Sequence, residues 1–412
     1  MARSDTDLKI AVVGAGAAGV FAAIHAADSN PKNTVVVFEK TRRCLSKVKI
    51  SGGGRCNVTH ACFDPRELVQ NYPRGSRELL GAFYTWQPED TIQWFKGRGV
   101  VLKTEVDGRM FPITDNSQTI IDTLLDTASG LGVKIKTGHE VNELRVTQSG
   151  GFQLLLKNAE VLHFDKVIIT SGGGSASGGL KFAKELGHQI TELVPSLFTF
   201  CIDDSRIEGL QGLSVPAATI TCGKIRDSQT GPVLITHWGL SGPGILKLSA
   251  WGAKELAACG YRFEITINWL GDKNQDWVIK KIDFLRQTAG KKSLFASSPF
   301  ELPKRLWESL LVYCGIEKQI QWSQLSRVAT MRLVNELIHG NYQVTGKSTN
   351  KDEFVTCGGV PLHEVDLRTM ESKIVPGLHF AGEVLDIDGI TGGFNFQAAW
   401  TTGYLAGQNS AH

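Results

Sequence analysis

The stretch KIAVVGAGAAGVFAAIHAAD, residues 9–28, runs from a short apolar segment through a glycine-rich turn into an alanine-rich segment of helical period. Ile10 to Val13 predicts a buried strand, and the helix beyond the turn reaches about Asp28. NTVVVFEK (33–40) follows as a second buried-type strand ending at Glu39. In this order of strand, turn, helix and strand, Gly14-Ala15-Gly16-Ala17-Ala18-Gly19 reads as a dinucleotide-binding G-x-G-x-x-G. Gly14 permits the tight turn, Gly16 lets backbone amides approach a pyrophosphate, and Gly19 lets helix and sheet pack closely. The N–H groups at the helix start, with the positive end of its dipole, suit two phosphates. Glu39 lies twenty residues after Gly19, where its carboxylate can accept from both ribose hydroxyls of an adenosine, and Lys40 joins it as a candidate. The expected fold is α/β, with a Rossmann-like dinucleotide domain. The fingerprint alone leaves NAD and FAD both open.

The segment KVKISGGGRCNVTH (47–60) begins a few residues after Glu39. A loop returning this early from the second strand passes over the ligand held by the first βαβ unit. Gly52, Gly53 and Gly54 bring bare backbone against a flat surface, as an isoalloxazine needs at N5 and its carbonyls, and Ser51 joins them as a cofactor-binding candidate. Lys47, Arg55 and Asn57 are then expected to bond to pyrophosphate, ribityl or ring oxygens. Cys56 sits beside the ring as a small buried filler, because no second cysteine is placed to form a disulfide with it.

Composition excludes several classes. The chain has 412 residues, enough for two or three domains, with 42% hydrophobic and 21% charged residues. The net charge of +3 points to no polyanion, so no nucleic acid partner is expected. The eight cysteines form no C-x-x-C pair, which argues against zinc and dithiol chemistry and for reduced cytosolic thiols. No metal site is expected. There is no targeting segment before the first strand and no run of the ~18 apolar residues a membrane span needs. The expectation is a cytoplasmic protein without internal repeats.

KVKISGGGRCNVTH resembles a signature of the BaiN/YhiN-type FAD-dependent oxidoreductases, the aminoacetone-oxidase-like flavoproteins. DGRMFP (107–112), THWGLSGPGIL (236–246), TCGGV (356–360) and TMESKIVPGLHFAGEVLDIDGITGGFNFQAAWTTGYLAG (369–407) match further blocks, so the resemblance covers nearly the whole chain. One departure is Leu45-Ser46, where the family usually has a glycine. The resemblance implies FAD, and no motif for covalent attachment is evident. It implies that Glu383, after the short strand Leu378 to Ala381 and Gly382, binds near the ribityl chain and pyrophosphate. GITGGFNFQAAW opens a helix whose Gly393, Phe394 and Asn395 are expected to meet flavin N1 and O2. The backbone near Val141 resembles the place where such proteins hold adenine.

Asn116 to Gly132 has helical spacing, and 133–170 reads as strands with tight turns, including a three-stranded meander. VIITSGGG then mimics a second fingerprint at Gly172-x-Gly174, but no second βαβ unit follows it, so Gly172 is assigned to FAD and no nicotinamide domain is expected. The resemblance implies an FAD domain at 1–195 and 351–412. A small β-barrel at 196–270 and 324–350 interrupts it and carries a helical insert at 271–323.

Arg55, Asn57, His60 and the barrel's His237 are candidate proton donors, and no catalytic residue is assigned. Trp238 and Ser241, in the same glycine-rich loop as His237, suit a wall over a ring. The favoured activity is hydride passage between NAD(P)H, flavin and a small organic substrate such as an enone. An oxygen-using amine oxidase and a flavin-dependent RNA-modifying or redox-sensing role are the alternatives. Oligomeric state is not legible.

Overall fold

The computed structural model describes residues 7–174, 177–348 and 355–412, and these form two compact units, Met1–Val194 with Val355–His412, and Pro195–Phe354. The expected return to the FAD domain at 350–351 lies outside the described residues.

The first unit is built on a mixed sheet. Lys9–Val13 pairs in parallel with Thr34–Glu39 on one side and with Lys166–Ile169 on the other. Lys134–Thr137 continues the sheet beyond the second strand, and Leu378–Phe380 continues it beyond Lys166–Ile169, again in parallel. Two short antiparallel strands, Glu371–Ser372 and Val365–Asp366, close that edge. The chain therefore leaves its first strand in one direction and comes back on the other side. That reversal is a topological switch point, and ligands of such sheets bind outside the carboxyl ends of the strands there. The turns after Val13, Ile169 and Phe380 all open at that end. The meander is present as Val141–Val146, Phe152–Leu156 and Val161–Phe164.

Two helices pack against each other behind the site. Ala17–Ser29 is alanine-rich and buried along most of its length, and Phe394–Ser410 meets it through small residues. A Cβ on Gly403 would lie 2.8 Å from Ala18 O, and one on Gly407 would lie 2.3 Å from Ala22 O, so only glycine admits this approach. A cluster of Phe21, His25, Trp86, Trp94, Trp400 and Tyr404 seals the far side of the pair.

In the second unit, strands Phe200–Cys201, Gly239–Ser241, Gln229–Ile235, Ser214–Thr221 and Phe263–Asn268 pair successively and antiparallel. The run 340–347 pairs first with Phe263–Asn268 and then with Phe200–Cys201, which returns the ladder to its first strand. This is a small closed antiparallel barrel. Helices Gln275–Thr288 and Lys304–Tyr313 follow the periodicity in the sequence, and a further helix, Arg327–His339, leads back to the barrel. Arg206 joins barrel and helices, bonded to Asp204 and Glu336 with its guanidinium 3.7 Å over Tyr342. No helix among the described residues is long and apolar enough to cross a membrane.

Candidate functional site

The first glycine turn has the geometry its residue types require. Gly14 has φ +112°, and a Cβ there would lie 2.8 Å from Thr170 O. A Cβ on Gly19 would lie 1.9 Å from Gly14 O and 2.5 Å from Thr170 Oγ1. Gly16, the N-cap of the first helix, differs from both: nothing lies within 4 Å of a Cβ built there, and no side chain caps the helix. The first turn thus has no side-chain cap for its N–H groups and open space beside its N-cap, as an anion site requires.

Residues far apart in sequence converge on this turn. Gly382 has φ +75° and a Cβ on it would be 2.8 Å from Ala18 Cβ, which puts the 382–383 turn against the helix start. Lys47 Nζ lies 2.5 Å from Glu383 Oε2. A Cβ on Gly172 would come within 3.9 Å of that same carboxylate oxygen. Gly14–Gly19, Lys47, Gly172, Gly382 and Glu383 thus form one cluster. Glu39 stands at its edge, with Oε2 accepting the Ala15 N–H at 3.0 Å and Oε1 the Thr41 N–H at 2.8 Å. A carboxylate has about four acceptor sites, so capacity for a ribose remains. Lys40 is exposed beside it. His139 N–H bonds to Glu39 O at 2.9 Å, which brings the backbone leading to Val141 alongside the strand end.

Leu45, at the departure from the family pattern, has φ +57° and donates its N–H to Ala15 O at 2.8 Å. The leucine takes the left-handed conformation a glycine would take freely, at a cost of about 1–2 kcal/mol. The chain path past the turn is therefore kept.

SGGGRCN is only partly a loop. A helical turn starts at Ser46, Ser51 breaks it with extended ψ, and Gly52 and Gly53 are left-handed. Gly52 is packed, since a Cβ would lie 2.8 Å from Phe111 Cε1, whereas Gly53 and Gly54 have nothing within 4 Å and present bare backbone. The DGRMFP block folds onto this segment. Arg55 lies 4.0 Å over the Phe111 ring and pairs with Glu105 at 2.6 Å, and Arg109 pairs with Glu105 at 2.9 Å. Arg55 is thus engaged with carboxylates of its own unit. Cys56 is fully buried at φ +62°, and burial pushes its thiol up to about 12, so it does not ionise at neutral pH.

Asn57 ties this segment to the C-terminal helix. With its amide oxygen toward the helix, it accepts the Gly393 N–H at 2.9 Å and donates to Thr59 O and Met110 O at 3.0 and 3.3 Å. Gly393 is the N-cap at φ +97°, again without a side-chain cap, so the N–H groups of Phe394 and Asn395 are left for a ligand. Asn395 fixes the preceding turn through Gly389 N–H and O, both at 2.8 Å. His60 bonds Gly392 O at 2.9 Å through Nδ1 and stacks on Phe394 with centroids 4.5 Å apart. Tyr72, which no sequence motif marks, is fully buried and donates to Phe394 O at 2.7 Å. An isolated tyrosine in an unassigned stretch carries no signal for this role.

In the second unit, His237 borders a shallow hollow of ≈ 630 Å³ together with Gly209, Gln211, Leu234, Thr236 and Arg305. Trp238 is 58% exposed, so it does not fill the barrel core. Ser241 Oγ accepts from Thr199 Oγ1 at 2.9 Å. A further arrangement, Ser372–His188–Glu364 with both hydrogen bonds at 2.8 Å, has the outline of a hydrolytic triad. It is sealed from solvent, and Ser372 Oγ already accepts two backbone N–H groups, so it acts as a brace.

Two uncapped helix N-termini, open backbone at Gly16, Gly53 and Gly54, and a basic and an acidic side chain joined between them fit an extended dinucleotide with a flat ring. This is the fold of FAD-binding flavoproteins. The chain belongs to the HI0933-like family, whose Rossmann-domain model matches residues 8–409, and it is an FAD-dependent oxidoreductase. It is 30% identical to the ribosomal RNA dihydrouridine synthase of Escherichia coli K12, covering 97% of this chain and 96% of that one. It is 29% identical to the 3-dehydro-bile acid delta(4,6)-reductase of Clostridium scindens, covering 98% and 99%. A 3-ketosteroid-delta4-(5alpha)-dehydrogenase from Rhodococcus jostii RHA1 shares the fold, with a TM-score of 0.52 at 13% identity over 100% of this chain and 98% of that one.

Proposed function

We infer that the protein reduces a carbon–carbon double bond conjugated to a carbonyl, with NAD(P)H as the electron source, in the cytoplasm. The observation that carries this is the match, over nearly the whole length at 29–30% identity, to relatives named for two different substrates, a uridine in ribosomal RNA and a 3-oxo bile acid. Both names describe saturation of an alkene conjugated to a carbonyl. The overall reaction consumes NAD(P)H and one proton; the β carbon gains hydride, the α carbon gains the proton, and NAD(P)+ leaves. FAD, when bound, supplies the two-electron relay between donor and acceptor.

The chain's own residues hold and orient. The helix start at Gly16–Ala18, with Gly382, would bind the pyrophosphate, and Glu39 the adenosine ribose. Lys47 and Glu383 would fix the ribityl chain, each keeping the other's charge compensated. Gly53 and Gly54 would lie against the ring with no side chain in the way. The Phe394 and Asn395 N–H groups would hold the N1–O2 edge, where a helix dipole favours negative charge.

The test is anaerobic. Addition of NADH or NADPH under argon bleaches the flavin absorbance, and a Δ4-3-oxosteroid or an unmodified ribosomal RNA transcript restores it faster than buffer alone. Failure to bleach, or restoration by oxygen that outruns every conjugated acceptor, contradicts the reading and favours an oxidase.

A further inference from the structure

The helical part of the second unit carries its charge unevenly. Between Lys273 and Lys292 there are six Lys or Arg residues and two acids, within a chain whose overall charge is only +3. One of those acids, Asp283, is paired to Arg286 at 2.7 Å. The other, Asp276, lies in the first turn of helix Gln275–Thr288, where the helix dipole holds a negative charge. Lys273 is paired to Asp272, just before this run, at 2.7 Å. Lys280, Lys281, Lys291 and Lys292 are thus only weakly offset.

Aromatic rings share the same face. Trp277, Lys281, Phe284 and Thr288 are spaced by three and four residues and so form one stripe of the helix, with Lys280 beside it. The opposite face, through Val278 and Ile282, is buried in the core of the unit. Trp277 is 40% exposed and Phe284 55% exposed, although both are apolar and the fold has a core to receive them. Lys273 lies 5.7 Å from the Trp277 ring and Lys281 5.9 Å from the Phe284 ring, so each ring has a cation beside it. Seven residues of helix separate the two rings by about 10 Å along the axis. Lys291 and Lys292 extend the charge past the helix end and are exposed.

We propose that this face, Trp277–Lys280–Lys281–Phe284 with its flanking lysines, docks single-stranded RNA. Stacking platforms that any base can use, interleaved with cations that track phosphates, are what a single strand recognises. A steroid carries no phosphates for these cations to meet. The inference rests on the reductase reading only in that a uracil ring is one of the conjugated carbonyls that reading covers. It departs from the expectation of no nucleic acid partner, which counted charge over the whole chain.

Full-length protein is titrated into an unmodified ribosomal RNA transcript by filter binding at several salt concentrations. Lys280→Glu/Lys281→Glu is expected to weaken binding by about tenfold or more and to flatten the salt dependence, by about 0.7 in log–log slope for each phosphate no longer neutralised. Phe284→Ala, which changes no charge, is expected to weaken binding about tenfold with an unchanged slope. Lys304→Glu on the neighbouring helix, paired with Glu308 and outside the stripe, is the charge control and is expected to have little effect. Absence of RNA binding by the parent, or equal weakening by Lys304→Glu, overturns the proposal. FAD content and steroid reduction of the same variants are read in parallel. Steroid reduction without RNA binding defeats the docking face alone, whereas RNA binding without reduction of any conjugated acceptor defeats the proposed function alone.

Discussion

The two helices of the candidate site begin in opposite ways. At Ala17–Ser29 the N-cap glycine, Gly16, has nothing within 4 Å of where a Cβ would stand. At Phe394–Ser410 the N-cap glycine, Gly393, is enclosed: a Cβ there would lie 2.5 Å from Thr59 O and 2.9 Å from the Asn57 amide. The first helix end is packed on Thr170 and Gly382, yet beside its N-cap the backbone is left bare for a ligand. The second is aimed by residues more than three hundred positions away, through Asn57, Thr59, His60 and Tyr72. Added atoms at Gly16 therefore act through the ligand, and added atoms at Gly393 act through the fold.

The sharpest break of this contrast uses three glycines of the helix pair. Gly19→Ala and Gly407→Ala each push a methyl to within 2.3 Å or less of a carbonyl oxygen, so the packing around helix Ala17–Ser29 must open. Each is expected to lower stability by about 3 kcal/mol or more, read by thermal denaturation of the apoprotein. Gly16→Ala has room and an extended backbone at φ −81°, so its melting temperature is expected to match the parent's. Its FAD affinity is expected to fall about tenfold or more, because the methyl occupies the anion's space, a change equal to about 1.4 kcal/mol. If Gly16→Ala is as unstable as Gly19→Ala, the open turn is a packing feature and not a ligand site.

Asn57→Ala sharpens the second half. It leaves the Gly393 N–H without its acceptor and removes the amide donor to Thr59 O, while Met110 O keeps the Val58 N–H, at a cost of about 1–3 kcal/mol. Catalytic turnover is expected to fall more than FAD content, because the helix start is misaimed while the pyrophosphate cluster is untouched. Steady-state kinetics on the FAD-saturated variant reads the split, and parental turnover would separate Asn57 from the flavin end.

A smaller effect is expected in acid. His25, in the aromatic cluster where the two helices meet, is held neutral by burial, its value lowered from 6.5 to about 3. The unfolded chain then binds more protons than the native one between those pH values, so stability present above pH 6.5 is lost as pH falls toward 3. His25→Phe is expected to flatten that loss in thermal melts between pH 6.5 and 4.5. Some slope remains, because His379 is also lowered by burial, to about 4. A variant whose pH profile overlays the parent's would remove His25 from the account.

What was legible in the sequence follows the same division. Gly14, Gly16 and Gly19 lie within six residues and obey local rules, so the first strand, turn and helix could be read directly. The bare backbone of Gly53 and Gly54 was legible for the same reason. The pairings Lys47–Glu383 and Asn57–Gly393 were not, because a side chain's partner across 336 residues leaves no mark in the spacing of either. Glu39 was read as a ribose acceptor, and its bonds to Ala15 and Thr41 add a second role, bracing the turn it serves. Leu45 shows the limit of composition: a left-handed residue was required there, and leucine met the requirement because the Ala15 carbonyl and the core hold it. The basic face of helix Gln275–Thr288 was concealed by a chain-wide charge near balance.

The central claim is that the two helix starts together hold one molecule of FAD. It is tested most directly by releasing the cofactor from purified protein with acid and separating it by chromatography, for the parent and for Gly16→Ala after reconstitution. The account predicts FAD near one per chain in the parent and depleted FAD in a folded Gly16→Ala. FMN in place of FAD, or no flavin retained by the reconstituted parent, would contradict it.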